Sequence, residues 1–237
     1  MRIAPALAIL VLGCSLGCTG KRAPQANDGK SVAQPAQPAE GPATPSPALT
    51  DPSLATKQAP EEYKVALETS KGDVIIAVHR SWAPQGADRF YNLVEIGFFD
   101  EVKFFRAIDG FMVQFGMNGD PTVTQAWNAY PIQDDPVKES NKRGYVTFAK
   151  KNNPNSRTTQ VFVNYKDNAM LDGMGFAPFG EVVQGMEVLD GLYKDYGEGP
   201  PKGTGPNQML IEREGNTYLE REYPKLDGVK KATIVEG

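Results

Sequence analysis

Cysteine is nearly absent from this 237-residue chain: the two present, Cys14 and Cys18, sit close together near the N-terminus. The rest of the chain therefore has no disulfide and no thiolate chemistry. Histidine is scarcer still. One His, His79, and no downstream Cys leave too few soft ligands for a zinc-type site, and no metal or cofactor is expected. A basic surplus is also missing. Lys and Arg number 25 against 29 Asp and Glu, a net charge of −4, which argues against a nucleic-acid partner. The longest apolar run, Ile3 to Gly13, is too short to cross a bilayer. What remains is ordinary for a soluble globular protein, 40% hydrophobic and 23% charged, with length for one domain plus appendages.

The opening segment, "MRIAPALAILVLGCSLGCTG", has one Arg and then an apolar stretch of signal-peptide type. "VLGC" and "SLGC" each resemble the lipobox of bacterial lipoproteins, in which the signal is cut just before a Cys that becomes lipid-modified. Residues 1–18 are thus expected to be a signal peptide, cleaved before Cys14 or Cys18. Val at −3 favours the first, leader length the second, and the choice stays open. An ordinary signal peptide with incidental cysteines is the plainer alternative. The residue after the modified Cys is Ser15 or Thr19, not Asp. By resemblance to enterobacterial sorting, this implies a bacterial cell envelope location, in the outer membrane facing the periplasm. Residues 19–60 are rich in Pro, Ala, Gln and Ser, a composition that predicts a disordered, extended linker.

From residue 61 to 237 the pattern is that of a folded domain. "YKVALETSKGDVIIAVH" alternates, turns at Lys71-Gly72-Asp73 and alternates again, which predicts a β-hairpin. Ala87, Phe90, Tyr91 and Val94 recur at helical spacing between Pro84 and Gly97. A loop over 118–141, several short strands and a helical run from Gly185 follow. "GTGPNQMLIEREGNTYLEREYP" reads as a helix and turn before a last strand. Many short strands with few helices predict a mainly β antiparallel barrel or sandwich. "GEGPPKGTG" lacks the order of a phosphate-binding loop, and Pro200 and Pro201 carry no amide donor, so it reads as a plain loop. "DDP" at 134–136 reads as an acidic turn without calcium-loop spacing.

One stretch is harder to dismiss. "KFFRAIDGFMVQFG" places Arg106 in an otherwise apolar segment. On strands, Met112 and Gln114 share one face, and Gln160 and Phe162 share another. Phe111 joins Met112 only if the chain bends at Gly110. A face with Arg, two Gln, Met and Phe looks like a shallow apolar pocket with a few directed donors.

"FFRAIDGFMVQFG", "FAKKNNPNSRTTQVFVN" and "DNAMLDGMGFAPFGEVVQGMEVLDGL", in that order, resemble the cyclophilins, prolyl peptide isomerases. The resemblance implies a closed eight-stranded antiparallel barrel capped by two helices. It implies a catalytic Arg106 oriented by Gln114, a proline pocket of Phe111, Met112, Phe162 and Leu171, and a substrate groove at Gln160 and Lys150. Met170 stands where many eukaryotic members have a rim Trp, and Phe176 where a rim His is found. Phe105 replaces a frequent His. The implied partners are proline-containing peptides and unfolded exported proteins, acted on by a monomer held at a membrane. The alternative is a non-catalytic peptide-binding or chaperone-like module on the same fold, motivated by Phe105 and Met170.

The chemistry suits the residues. Amide resonance sets a barrier of roughly 18–20 kcal/mol to X-Pro rotation. In the twisted transition state the imide nitrogen regains its lone pair. A donor aimed there binds that state better than either planar form. Arg stays protonated, offers a rigid fork of donors and tolerates an apolar wall along its stem.

Overall fold

The computed structural model describes residues 44–235. The expected signal peptide, both cysteines and the first part of the linker lie outside the described residues.

Strand β1 (Glu62–Thr69) buries Tyr63, Val65, Leu67 and Thr69 on one face, and β2 (Gly72–His79) buries Val74, Ile76 and Val78. Their alternation fixes the register, Thr69 opposite Gly72 and Glu62 opposite His79. The turn is Ser70-Lys71, one residue earlier than the sequence suggests, and the Thr69 hydroxyl closes it by donating to the Gly72 carbonyl at 2.6 Å. Helix α1 (Pro84–Glu95) follows, burying Ala87, Phe90, Leu93 and Val94. Its N-cap, Ala83, has no side-chain acceptor to offer. Asp135 does that work from a distance, accepting from Gln85 N at 3.0 Å and Gly86 N at 2.9 Å. The acidic turn is therefore a remote helix cap. Arg157, almost fully buried, donates to Asp135 Oδ2 at 3.0 Å and to the Gln133 carbonyl.

The remaining strands are β3 (Arg106–Ile108), β4 (Met112–Phe115), β5 (Tyr145–Phe148), β6 (Val161–Asn164), β7 (Pro178–Gln184) and β8 (Val229–Val235). All eight form one antiparallel sheet in the order β3-β4-β6-β5-β7-β2-β1-β8, curled into a half-barrel. The expectation of a closed barrel is corrected here. Edge strands β3 and β8 share no ladder, and a single bridge, Lys103 to Gly228, joins their approaches. Phe90, Phe99, Phe115, Phe148 and Phe179 fill the interior with tilted and edge-on ring pairs.

Two capping helices are also too few. Besides α1, the described residues contain α2 (Pro121–Asn128), α3 (Met186–Asp190), α4 (Gln208–Glu214) and α5 (Asn216–Glu222). Helix α2 lies in the stretch expected to be loop. Asp120 caps it by accepting from Thr122 N, with Pro121 in the first turn. Helices α4 and α5 are the expected insertion. They pack Ile211, Tyr218 and Leu219 on Phe105 and Met117 in a second small core. Burying a Phe is worth roughly 1.5–3 kcal/mol, so Phe105 helps to hold this insertion on the sheet.

The linker boundary also moves. Residues 44–60, expected to be part of a disordered tether, pack against the domain through two short 3₁₀ turns, Pro47–Leu49 and Pro52–Leu54. Trp127 Nε1 donates to the Leu49 carbonyl at 3.0 Å, and Lys57 N donates to Asn92 Oδ1 at 3.0 Å. Composition predicted disorder because the segment has little apolar surface of its own. It borrows partners from α1 and α2 instead.

Candidate active site

Arg106 and Gln114 are register partners across β3 and β4, and Gln114 in turn lies opposite Phe162 on β6. A turn through Asp109 and Gly110, with φ +63° at Gly110, joins β3 to β4. It swings Phe111 to the side of Met112, while Val113 and Phe115 stay in the main core. The bend that the sequence left conditional is present. At the other end of β4, Gly116 has φ +99°, and a Cβ there would collide with the Thr159 carbonyl oxygen. This close approach brings Gln160 beside Gln114.

Arg106 Nη1 donates to Gln114 Oε1 at 2.9 Å, and Gln114 Nε2 donates to Gln160 Oε1 at 2.7 Å. The three side chains form a relay along one wall of a cavity of about 550 Å³. Met112, Phe162 and Leu171 make its apolar floor, with Phe111, Ala149 and Phe176 packed on them. The Phe162 and Phe176 rings meet edge-on at 5.9 Å. Lys150 also lines the cavity, with its ammonium 5.6 Å from the centre of the Phe176 ring.

Nine of the ten expected catalytic and substrate-binding residues thus line one cavity: Arg106, Phe111, Met112, Gln114, Lys150, Gln160, Phe162, Leu171 and Phe176. Met170 does not. Met174, as exposed as Met170 at 59%, lines the rim in its place. The reason is local. Ala169–Met174 is a 3₁₀ helix, whose repeat of three stacks Leu171 under Met174 and turns Met170 outward.

Sequence reasoning missed Glu198. Its carboxylate accepts from Arg106 Nε at 2.8 Å and Nη2 at 2.6 Å, a two-pronged ion pair. Hydrogen bonds from Arg106 hold the Glu198 carboxyl below the ordinary Glu range, against the opposing effect of burial. Glu198 comes from the loop read as featureless, and no periodic signal marks it. Gln208 and Glu212 of α4, Asn128 at the end of α2, and Pro131 beyond it also line the cavity.

A permanently charged donor, Arg106, beside an apolar floor fits proline isomerisation, and comparison with known proteins agrees. Residues 64–211 match the family model described as cyclophilin type peptidyl-prolyl cis-trans isomerase. The chain belongs to the cyclophilin family. Peptidyl-prolyl cis-trans isomerase A of Dickeya dadantii is 37% identical to this cyclophilin over 155 residues, 62% of this chain and 81% of that one. Isomerase cyp18 of Streptomyces antibioticus is 35% identical over 136 residues, covering 54% and 81%. Isomerase B of Escherichia coli strain K12 is 34% identical over 134 residues, covering 53% and 81%. Among solved structures, a Cryptosporidium parvum cyclophilin superposes with a TM-score of 0.56 at 22% identity, covering 74% of this chain and 99% of that one. The same C. parvum protein, crystallised in the presence of the dipeptide Ala-Pro, gives 0.54 at 22% identity, with coverage of 73% and 99%. At that identity the likeness concerns the fold.

Proposed function

We propose that this cyclophilin-type peptidyl-prolyl cis-trans isomerase works in a bacterial cell envelope, tethered by a lipid on Cys14 or Cys18, on exported chains with accessible X-Pro bonds. The observation that carries the isomerase activity is Arg106, held by Gln114 beside the floor of Met112, Phe162 and Leu171. The floor grips the pyrrolidine ring. The guanidinium donates to the imide nitrogen as it becomes pyramidal, so the interaction is strongest part-way through the rotation. No bond to carbon breaks and no proton need move.

The envelope location rests on the signal-like apolar run and the two Gly-Cys pairs. Among the described residues no helix is long and apolar enough to cross a membrane. In this proposal the anchor is the lipid, and stable attachment needs more than one acyl chain on the mature Cys. The non-catalytic alternative loses its motive: Phe105 lies under α4 and α5, and Met170 stands outside the cavity.

Two measurements test the proposal. Changing Cys14 and Cys18 together to Ser moves the protein from the membrane to the soluble fraction; persistent membrane association contradicts the anchor. Adding the wild-type protein to an exported protein whose refolding is limited by X-Pro isomerisation shortens its slow phase. An unchanged slow phase contradicts the folding role.

A further inference from the structure

We propose that Glu198 is a positioning residue for the isomerisation, fixing the guanidinium plane of Arg106 so that its free N–H groups face the substrate. The inference rests on the isomerase reading above. Arg has five N–H donors in a rigid plane. Glu198 takes one on Nε and one on Nη2, and Gln114 takes one on Nη1. One hydrogen on Nη2 and one on Nη1 remain. Nη1 also meets the Met112 thioether at 3.7 Å, a weak acceptor that a substrate oxygen or nitrogen readily displaces. With Nε engaged, the guanidinium cannot turn about its own axis without breaking two charged hydrogen bonds. Gln114 alone, at one nitrogen, leaves that rotation open.

Glu198 is itself held in place. Its Oε1 accepts from Gly199 N at 3.0 Å, and its main-chain carbonyl accepts from Gly205 N at 2.9 Å, which closes the loop on itself. Tyr223 pins the loop by donating its hydroxyl to the carbonyls of Thr204 at 3.1 Å and Gly205 at 3.0 Å. The Tyr223 ring packs edge-on against Tyr196 and Tyr218, the latter on α5. The chain from Glu198 to Tyr223 thus supports the catalytic arginine from outside the sheet. A carboxylate also offsets positive charge that the transition state uses. Glu198 therefore helps only if orientation outweighs that loss, and this makes the test decisive.

The experiment uses the whole chain and follows a short X-Pro peptide by exchange NMR, so that kcat and KM separate. Two variants are compared with wild type: Glu198→Ala and Glu198→Gln. Glu198→Ala is expected to lower kcat about tenfold with KM changed less than about twofold, as a misaligned donor does. Glu198→Gln keeps one acceptor and regains part of the loss. The Arg106 Nε–H resonance, slow to exchange in wild type, exchanges rapidly in Glu198→Ala. If Glu198→Ala fails to fold, the kcat of Glu198→Gln and the Arg106 resonance in it decide the matter. A folded Glu198→Ala, or in its place Glu198→Gln, with kcat equal to or above that of an active wild type overturns the positioning role. A wild type no faster than buffer instead overturns the isomerase reading, so the two failures are distinguishable.

Discussion

Arg106 and Gln114 face each other across neighbouring antiparallel strands, and the Gln114 amide oxygen accepts from Arg106 Nη1 at 2.9 Å. Gln114 is buried and spends its amide nitrogen on Gln160, so both ends of its side chain are committed. The amide therefore has one orientation, and it anchors Nη1 of Arg106.

Gln114→Leu keeps the volume of the side chain and removes the relay. Its kcat/KM is expected to fall about tenfold, the equivalent of roughly 1.4 kcal/mol of transition-state stabilisation. The Gln160 amide, left without its donor, adds a modest loss of stability. Steady-state kinetics with an X-Pro peptide, beside a urea titration, checks both. Unchanged kinetics would show that Arg106 does not depend on this bond.

The Glu198 carboxyl is depressed chiefly by hydrogen bonds from Arg106, with burial opposing. The sign follows directly. A carboxyl lowered on folding stabilises the protein above its unfolded pKa, about 4.3, and loses that contribution as pH falls through the lower folded value. The stability difference between wild type and Glu198→Gln is therefore constant through the neutral range and shrinks below about pH 4. Urea midpoints across pH measure it. A difference that grows on acidification would contradict the pairing.

Asp135 couples Arg157 to the first turn of α1. In Asp135→Ala the buried Arg157 loses its best partner and two helix amides lose their acceptor. Asp134, 3.4 Å from Arg157 Nε, stays in place and limits the damage. The expected cost is about 3 kcal/mol, at the lower end for breaking a buried pair. A loss below about 1 kcal/mol, typical of an exposed pair, would mean that Arg157 is not effectively buried.

These cases separate what was legible in the chain from what was not. The β1–β2 hairpin was readable because its alternation and its turn are local. Most of the cavity wall was readable too, since Arg106 to Gln114 are consecutive and their faces follow from strand parity. Glu198 was not, because it reaches Arg106 across 92 residues from a Gly- and Pro-rich loop without periodicity. Closure of the barrel was not either, since it depends on how two distant edge strands approach. Helix α2 was hidden by two Thr and a Val within eight residues, although Asp120-Pro121 is an N-terminal signal that could have revealed it.

The docked segment 44–60 gives a fourth test. Trp127→Phe keeps an aromatic ring but removes the N–H that reaches the Leu49 carbonyl, together with part of a buried indole. The hydrogen bond accounts for a loss of about 0.5–1.5 kcal/mol, and the space left by the smaller ring adds to it. It should be felt locally, as faster amide exchange in residues 44–60 than in the sheet. Equal protection in mutant and wild type would mean that the segment is held by other contacts.

The central claim is that Arg106 stabilises a twisted X-Pro bond over an apolar floor. Isomerisation of a short X-Pro peptide, measured for wild type and Arg106→Ala alongside binding of the same peptide, tests it most directly. The account predicts a wild type far above the buffer rate. It predicts a fall in kcat/KM of about a hundredfold or more in Arg106→Ala, while peptide still binds the floor of Met112, Phe162 and Leu171. An Arg106→Ala protein that turns over as fast as wild type would contradict it.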